Sequence, residues 1–252
     1  MDLGLQGCKV LITGASKGIG AEVARHFASE GCDIVIVSRT AGDLETVAAD
    51  IRATTGRTVV TEAVDLSDGA NVVALARRHR DVDILVNNAG ALPGGHVLEV
   101  DEQTWRQGWD LKVFGYINMC REFYRAFKER GSGTIVNVIG IGAVTKYPWY
   151  MCGAAGNAAV AAFTNALGSE SHKDGIRVVG VSPGPVATER AIQVLTQAGG
   201  EGSDEAEMIQ KAFGRDWATP AQIANIVLFM ASDQASYVSG TVVNVDLGVT
   251  RI

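Results

Sequence analysis

Residues 10–20 read VLITGASKGIG and place Gly14, Gly18 and Gly20 between an apolar run and the start of a helical pattern. Glycines at such a junction let the backbone come close to a pyrophosphate, and the helix that opens there points free N–H groups and a positive dipole end at it. By itself a Gly-rich turn is equally well a tight turn with close helix packing; a strand before it and a helix after it are the context that phosphate binding requires. The next apolar run ends IVIVSRT, so Arg39 stands where a site for a free ribose 2′-hydroxyl carries an acid. Lys17, in the Gly-rich turn, can face the same point. Two cations without a carboxylate favour a 2′-phosphate, hence NADP(H), over their alternative as solvated surface charges.

These residues need a sheet to position them. CKVLIT, DIVIVS, TVVTEAV, DILVNN, GTIVNVIG, IRVVGVS and TVVNVD are β-branched runs of strand length, almost continuously apolar, as strands buried on both faces must be. Helical patterns such as GAEVARHFASEG, GDLETVAADIRATTG and NAAVAAFTNALGSES lie between them, the first two ending at glycine. Strand and helix in alternation predict right-handed crossovers and a parallel sheet covered on both faces. The expected fold is an α/β, doubly wound, Rossmann-type domain spanning residues 1–252.

Composition narrows the function. A chain of 252 residues, 47% hydrophobic, without a linker or charge block, suits one large core. A net charge of −6 argues against a nucleic-acid partner, whose recognition rests on clustered Lys and Arg, and favours a small molecule. No run of eighteen apolar residues suggests a membrane anchor. Cys8, Cys32, Cys120 and Cys152 form no C-x-x-C pair, and the N-terminal segment has no leader pattern, so free thiols in a reducing cytoplasm are expected.

TGASKGIG, NNAG at 87–90, SPGPVAT at 182–188 and SGTVVNVDLG near the C-terminus follow the order and spacing of the short-chain dehydrogenase/reductase family, and the chain resembles that family from Leu5 to Gly248. The resemblance implies an NADP(H) site formed by Gly14, Ser16, Lys17, Gly18, Ile19, Gly20 and Arg39. Asp65 and Leu66 would meet the adenine, and Asn87, Ala89 and Gly90 would border the adenosine. Pro183, Gly184, Val186 and Thr188 would hold the nicotinamide carboxamide. It also implies a homo-oligomer.

The family performs its chemistry with an Asn, a Ser and a Tyr-x-x-x-Lys pair. Aligned on the segment that ends at Glu170, this chain has Lys112 at the Asn position, Gly140 at the Ser position, Gly153 at the Tyr position and Asn157 at the Lys position. All four depart from the pattern. Drift would leave a folded NADP(H)-binding shell. Yet a Lys at the Asn position together with an Asn at the Lys position looks compensated, with the Lys112 ammonium delivered into the space vacated at Asn157 and toward the nicotinamide ribose. In KYPWYMCGAAGN, residues 146–157, Tyr150 precedes Gly153 by about one helical turn, and either it or Tyr147 would replace the missing phenol. The same aromatics would also suit a loop packed over a hydrophobic substrate. His96 is a further candidate, with a surface or packing role as its alternative, and Asp110 and Asn137 lie close to the site in sequence.

Residues 188–216, with a Gly-rich acidic hinge at 199–205, correspond to the family's mobile substrate lid. Trp149, Met151, Ile192 and Phe213 favour a bulky apolar substrate. The expected function is NADP(H)-dependent reduction or oxidation of an apolar carbonyl or alcohol by a nonstandard active site. A catalytically silent sensor or partner subunit, and a non-redox isomerase or dehydratase, are the alternatives.

Overall fold

The computed structural model describes residues 2–189, 191, 217–248 and 250. Ile192, Phe213 and nearly all of the expected lid at 188–216, its hinge included, lie outside the described residues. Seven parallel strands form one sheet in the order β3-β2-β1-β4-β5-β6-β7. They are β1 Lys9–Thr13, β2 Asp33–Ser38, β3 Val59–Ala63, β4 Ile84–Asn87, β5 Gly133–Val138, β6 Ile176–Pro183 and β7 Thr241–Val245. Six lie within the apolar runs expected to be strands, and β6 runs one residue past IRVVGVS to Pro183.

Alternation along the strands divides the core into two layers. Val10 and Ile12 of β1 point to one face, where they meet Val23 and Phe27 of α1 (Gly18–Ser29) and Val227 of α7 (Pro220–Ala231). Ile51 of α2 (Ala41–Thr55) belongs to the same layer. Leu11, between them, points to the other, with Leu75 of α3 (Gly69–Arg78) and Phe123 and Phe127 of α5 (Gly115–Arg130). Local signals set the helix ends. Gly56 closes α2 in a left-handed conformation at φ 68°, and Thr219 with Gln222 forms a capping box ahead of Pro220.

β1 is flanked by β2 on one side and β4 on the other, so successive crossovers leave its C-terminal end in opposite directions. A crevice opens at such a switch point outside the carboxyl ends of the strands. α4 (Glu102–Trp109) gives way to a π-helical turn, Asp110–Phe114, before α5 begins. The wider turn carries Lys112 in its middle. The last helix bordering the crevice, α6, spans Met151–Glu170 and ends at the acid used to align it.

Candidate active site

A cleft of about 670 Å³ runs over the strand ends, a volume that suits a small molecule. At its centre lies the glycine turn. Gly14 has φ 65°, which favours glycine, and a Cβ there would come within 2.8 Å of the Ala89 Cα. At Gly20 a Cβ would overlap the Gly14 carbonyl. The turn is tied to the end of β4. Thr13 Oγ1 accepts from the Asn88 and Ala89 N–H groups at 2.9 and 3.0 Å, and Asn88 Nδ2 donates to the Thr13 and Gly14 carbonyls at 3.1 and 3.2 Å. Helix α1 has no side-chain cap and no acid in its first turn, so its N-terminus is open to an anion.

At one end the lining is Ser38, Arg39, Thr40, Val64 and Leu66. Arg39 is exposed and forms no ion pair among the described residues. Lys17 Nζ lies 3.7 Å from an Asp43 carboxylate oxygen and 3.9 Å from one of Glu189, all three groups being open to solvent. Such exposed pairs contribute little. Asp65 is turned into its own loop, where one carboxylate oxygen accepts from the Ser67 N–H at 3.0 Å and hydroxyl at 2.7 Å. Those bonds, with the Arg39 charge behind them, hold its carboxyl below the usual range.

At the opposite end, the π-helical turn points Lys112 inward. Its side chain passes Gly90, where a Cβ would meet the Lys112 Cδ at 2.8 Å. Lys112 Nζ donates to Tyr116 Oη at 2.7 Å and to the Val138 carbonyl at 2.8 Å, and Tyr116 Oη donates to the same carbonyl at 2.7 Å. The amine also sits 4.2 Å from the Tyr116 ring centroid. No carboxylate pairs with it among the described residues, and burial pushes its pKa down to about 7.

Asn157 of α6 is buried beside this group. Its Nδ2 donates to the Gly153 carbonyl at 2.8 Å, whereas its Oδ1 is buried with no hydrogen-bond partner among the described residues. A Cβ at Gly140 would lie 3.2 Å from that Oδ1, and Gly140 itself has φ 142°. Tyr150 enters from the loop before α6, where it bridges to Gly95, and its ring covers Gly153 so closely that a Cβ there would fall among the ring atoms. Trp149 stacks on Tyr147 with centroids 5.3 Å apart and lies 5.9 Å from Tyr150. The three aromatics line the cleft together with Leu92, Ile141 and Trp217.

Most of the residues expected at the cofactor line this cleft: Gly14, Ser16, Lys17, Gly18, Ile19, Arg39, Leu66, Ala89, Gly90, Pro183, Gly184, Val186 and Thr188. Lys112, Gly140, Tyr150 and Asn157 line it too, but the Lys112 amine bonds to Val138 and Tyr116, with no hydrogen bond to Asn157. Gly20 and Gly153 sit behind the lining, and Asp65 stays outside it. Asn87 lies inside the sheet, its Nδ2 donating to Asn137 Oδ1 at 2.9 Å. Asn137 in turn donates to Thr164, which places it in the same internal network. His96 and Asp110 are exposed and off the cleft. Sequence reasoning missed Asn88 and Tyr116. For Asn88 the strand period was a usable signal, because adjacent residues at a strand end face opposite ways. For Tyr116 the signal was its place four residues after Lys112, the spacing that puts two side chains on one helix face.

A family model for short chain dehydrogenase matches residues 9–199. A galactitol 2-dehydrogenase of Cereibacter sphaeroides is 34% identical over 248 residues, covering 98% of this chain and 96% of that protein. The L-sorbose reductase of Gluconobacter frateurii, solved with NADPH and L-sorbose, superposes with a TM-score of 0.91 at 30% identity over the full length of both chains. A structure described as a putative NAD(P)-dependent gluconate 5-dehydrogenase from Beutenbergia cavernae, with bound NADP, gives a TM-score of 0.91 at 31% identity, also over both full chains. With this match across most of its length and the parallel sheet and glycine turn that go with it, the chain belongs to the short-chain dehydrogenase family.

Proposed function

We propose that this protein is an NADP(H)-dependent oxidoreductase whose reacting end is built differently from that of its relatives. The observation that carries the reading is the continuity of one cleft, from Arg39 and Lys17, past the Gly14 turn and the open end of α1, to Lys112, Asn157 and Tyr150. The lining suits a dinucleotide: Arg39 and Lys17 would hold a 2′-phosphate, the glycine turn and the open end of α1 would hold the pyrophosphate, and Pro183, Gly184 and Thr188 would border the nicotinamide. When bound, the nicotinamide supplies or accepts a hydride.

The chain's own groups must then place the substrate and manage any proton. By resemblance, Lys112, Gly140, Gly153 and Asn157 occupy the positions of the family's Asn, Ser, Tyr and Lys. Tyr150 supplies a phenol beside Gly153, and Lys112, half neutral near neutral pH, supplies an amine able to exchange a proton. Tyr147, Trp149, Leu92 and Ile141 offer an apolar wall for a bulky substrate. A silent NADP(H)-binding homologue has one observation in its favour: the donors of Lys112 and Asn157 are engaged with protein carbonyls.

Calorimetry with NADPH and NADH tests the cofactor, and NADPH consumption over a panel of apolar carbonyl compounds tests the reaction. Tight NADPH binding with no turnover of any carbonyl or other hydride acceptor would favour the silent homologue.

A further inference from the structure

The loop ahead of α6 sets three aromatic rings side by side. The Tyr150 N–H donates to the Tyr147 carbonyl at 3.0 Å and the Gly95 N–H donates to the Trp149 carbonyl at 2.6 Å, so the backbone that presents the rings is tied down. The planes of Tyr147 and Trp149 differ by 23° and those of Trp149 and Tyr150 by 39°, with centroids 5.3 and 5.9 Å apart. All three side chains are half-buried and line the cleft. A face anchored in this way is in place before a ligand arrives, and its rings favour a flat one. Gly140 and Gly142, which also line the cleft, bring no side chain into the space beside it.

The polar groups near this face are few. Among the described residues, the one carboxylate that lines the cleft, Glu189, lies 3.9 Å from Lys17, beside the glycine turn. The Lys112 ammonium keeps one N–H beyond the two accepted by Tyr116 Oη and the Val138 carbonyl, and Asn157 Nδ2 keeps one beyond its bond to Gly153. Such donors match a single ligand oxygen. A polyol, with a hydroxyl on nearly every carbon, would bring several into a wall of rings and glycines, each losing its hydration without compensation. Resting on the oxidoreductase reading above, we infer that this end of the cleft takes an uncharged, flat aromatic ketone or the corresponding alcohol, with Trp149 as the residue that selects the ring. Offset stacking on the indole favours an aromatic ring beyond the area it buries. A saturated ring of the same skeleton buries a comparable area but has no π face to pair with the indole.

The test is an equilibrium titration by calorimetry on the protein saturated with NADP⁺, so that a ketone binds without turning over. Three probes are compared: tetralone; decalone, which has the same skeleton and oxygen with the aromatic ring saturated; and the ketose L-sorbose. Tetralone should bind about fivefold more tightly than decalone, and L-sorbose should be the weakest of the three. Trp149→Leu should bring tetralone down to the affinity of decalone while barely changing decalone itself, and Trp149→Phe, which keeps a ring, should retain part of the gap. If the Trp149→Leu variant does not fold, the wild-type order and Trp149→Phe still decide. Equal affinities of the wild-type protein for tetralone and decalone would overturn the inference, as would a gap that survives Trp149→Leu, L-sorbose binding as tightly as tetralone, or failure of all three probes to bind while NADP⁺ does. NADP⁺ that fails to bind overturns the oxidoreductase reading and this inference with it.

Discussion

The ring of Tyr150 occupies the volume that any side chain at residue 153 would need, so Gly153 and Tyr150 define one local packing solution. Gly153→Ala should therefore destabilise the protein by about 1–3 kcal/mol, although alanine is the better helix former. The loss should shrink in the Gly153→Ala/Tyr150→Ala double variant. Additive losses in urea unfolding would show that the ring moves aside freely.

Gly153→Tyr by itself should not produce a reductase of simple ketones. The incoming ring meets Tyr150, and the neighbouring positions still hold Asn157 and Gly140. Even the combined change Gly140→Ser, Gly153→Tyr, Asn157→Lys, Lys112→Asn faces a backbone obstacle, since φ 142° at Gly140 disfavours serine. NADPH consumption with small ketones checks this, and robust turnover by Gly153→Tyr alone would contradict it.

Stability should depend on pH through Lys112. Burial holds its folded pKa at about 7, below the 10.5 usual for a lysine. Between those values the unfolded chain binds more protons, so unfolding becomes harder as pH rises. Below about pH 7 the full penalty is present, and above about pH 10.5 it is gone. Lys112→Met, similar in shape but uncharged, should remove this slope and be more stable than wild type by several kcal/mol at about pH 6.5. Urea unfolding of the two proteins across that range, read as their difference, cancels the titration of the buried thiols.

Tyr116→Phe should cost about 1–3 kcal/mol, because it deprives a buried amine of an acceptor and leaves the Val138 carbonyl with one donor fewer. Lys112→Met combined with Tyr116→Phe should cost less than the sum of the two. Lys112 and Asn157, by contrast, bond to different carbonyls, so a double-mutant cycle between them should show weak coupling, about 0.5 kcal/mol or less. Strong coupling would point to a bridge through the bound cofactor.

Arg39→Asp should reverse or abolish a preference for NADPH over NADH. Two charge-assisted contacts, from Arg39 and Lys17, correspond to more than about tenfold discrimination. Lys17→Ala should have the smaller effect, since Lys17 already lies within 4 Å of Asp43 and Glu189. Equal affinities of the wild-type protein for the two cofactors would remove the 2′-phosphate assignment.

The parallel sheet, the seven strands and the glycine turn were legible in the chain alone, because each rests on local physics. Runs such as DIVIVS are apolar at every position only when both faces are buried, and glycines at 14 and 20 are needed wherever two backbones nearly touch. Tertiary structure alone decided how the polar groups at the Lys112 end of the cleft are partnered. A π-helical turn carries Lys112 past Gly90 onto Val138 and Tyr116, and Asn157 turns its amide onto the Gly153 carbonyl. Those outcomes depend on which atoms approach from other segments of the chain, and on where a buried amine or amide finds its partners, which residue types and spacing do not encode.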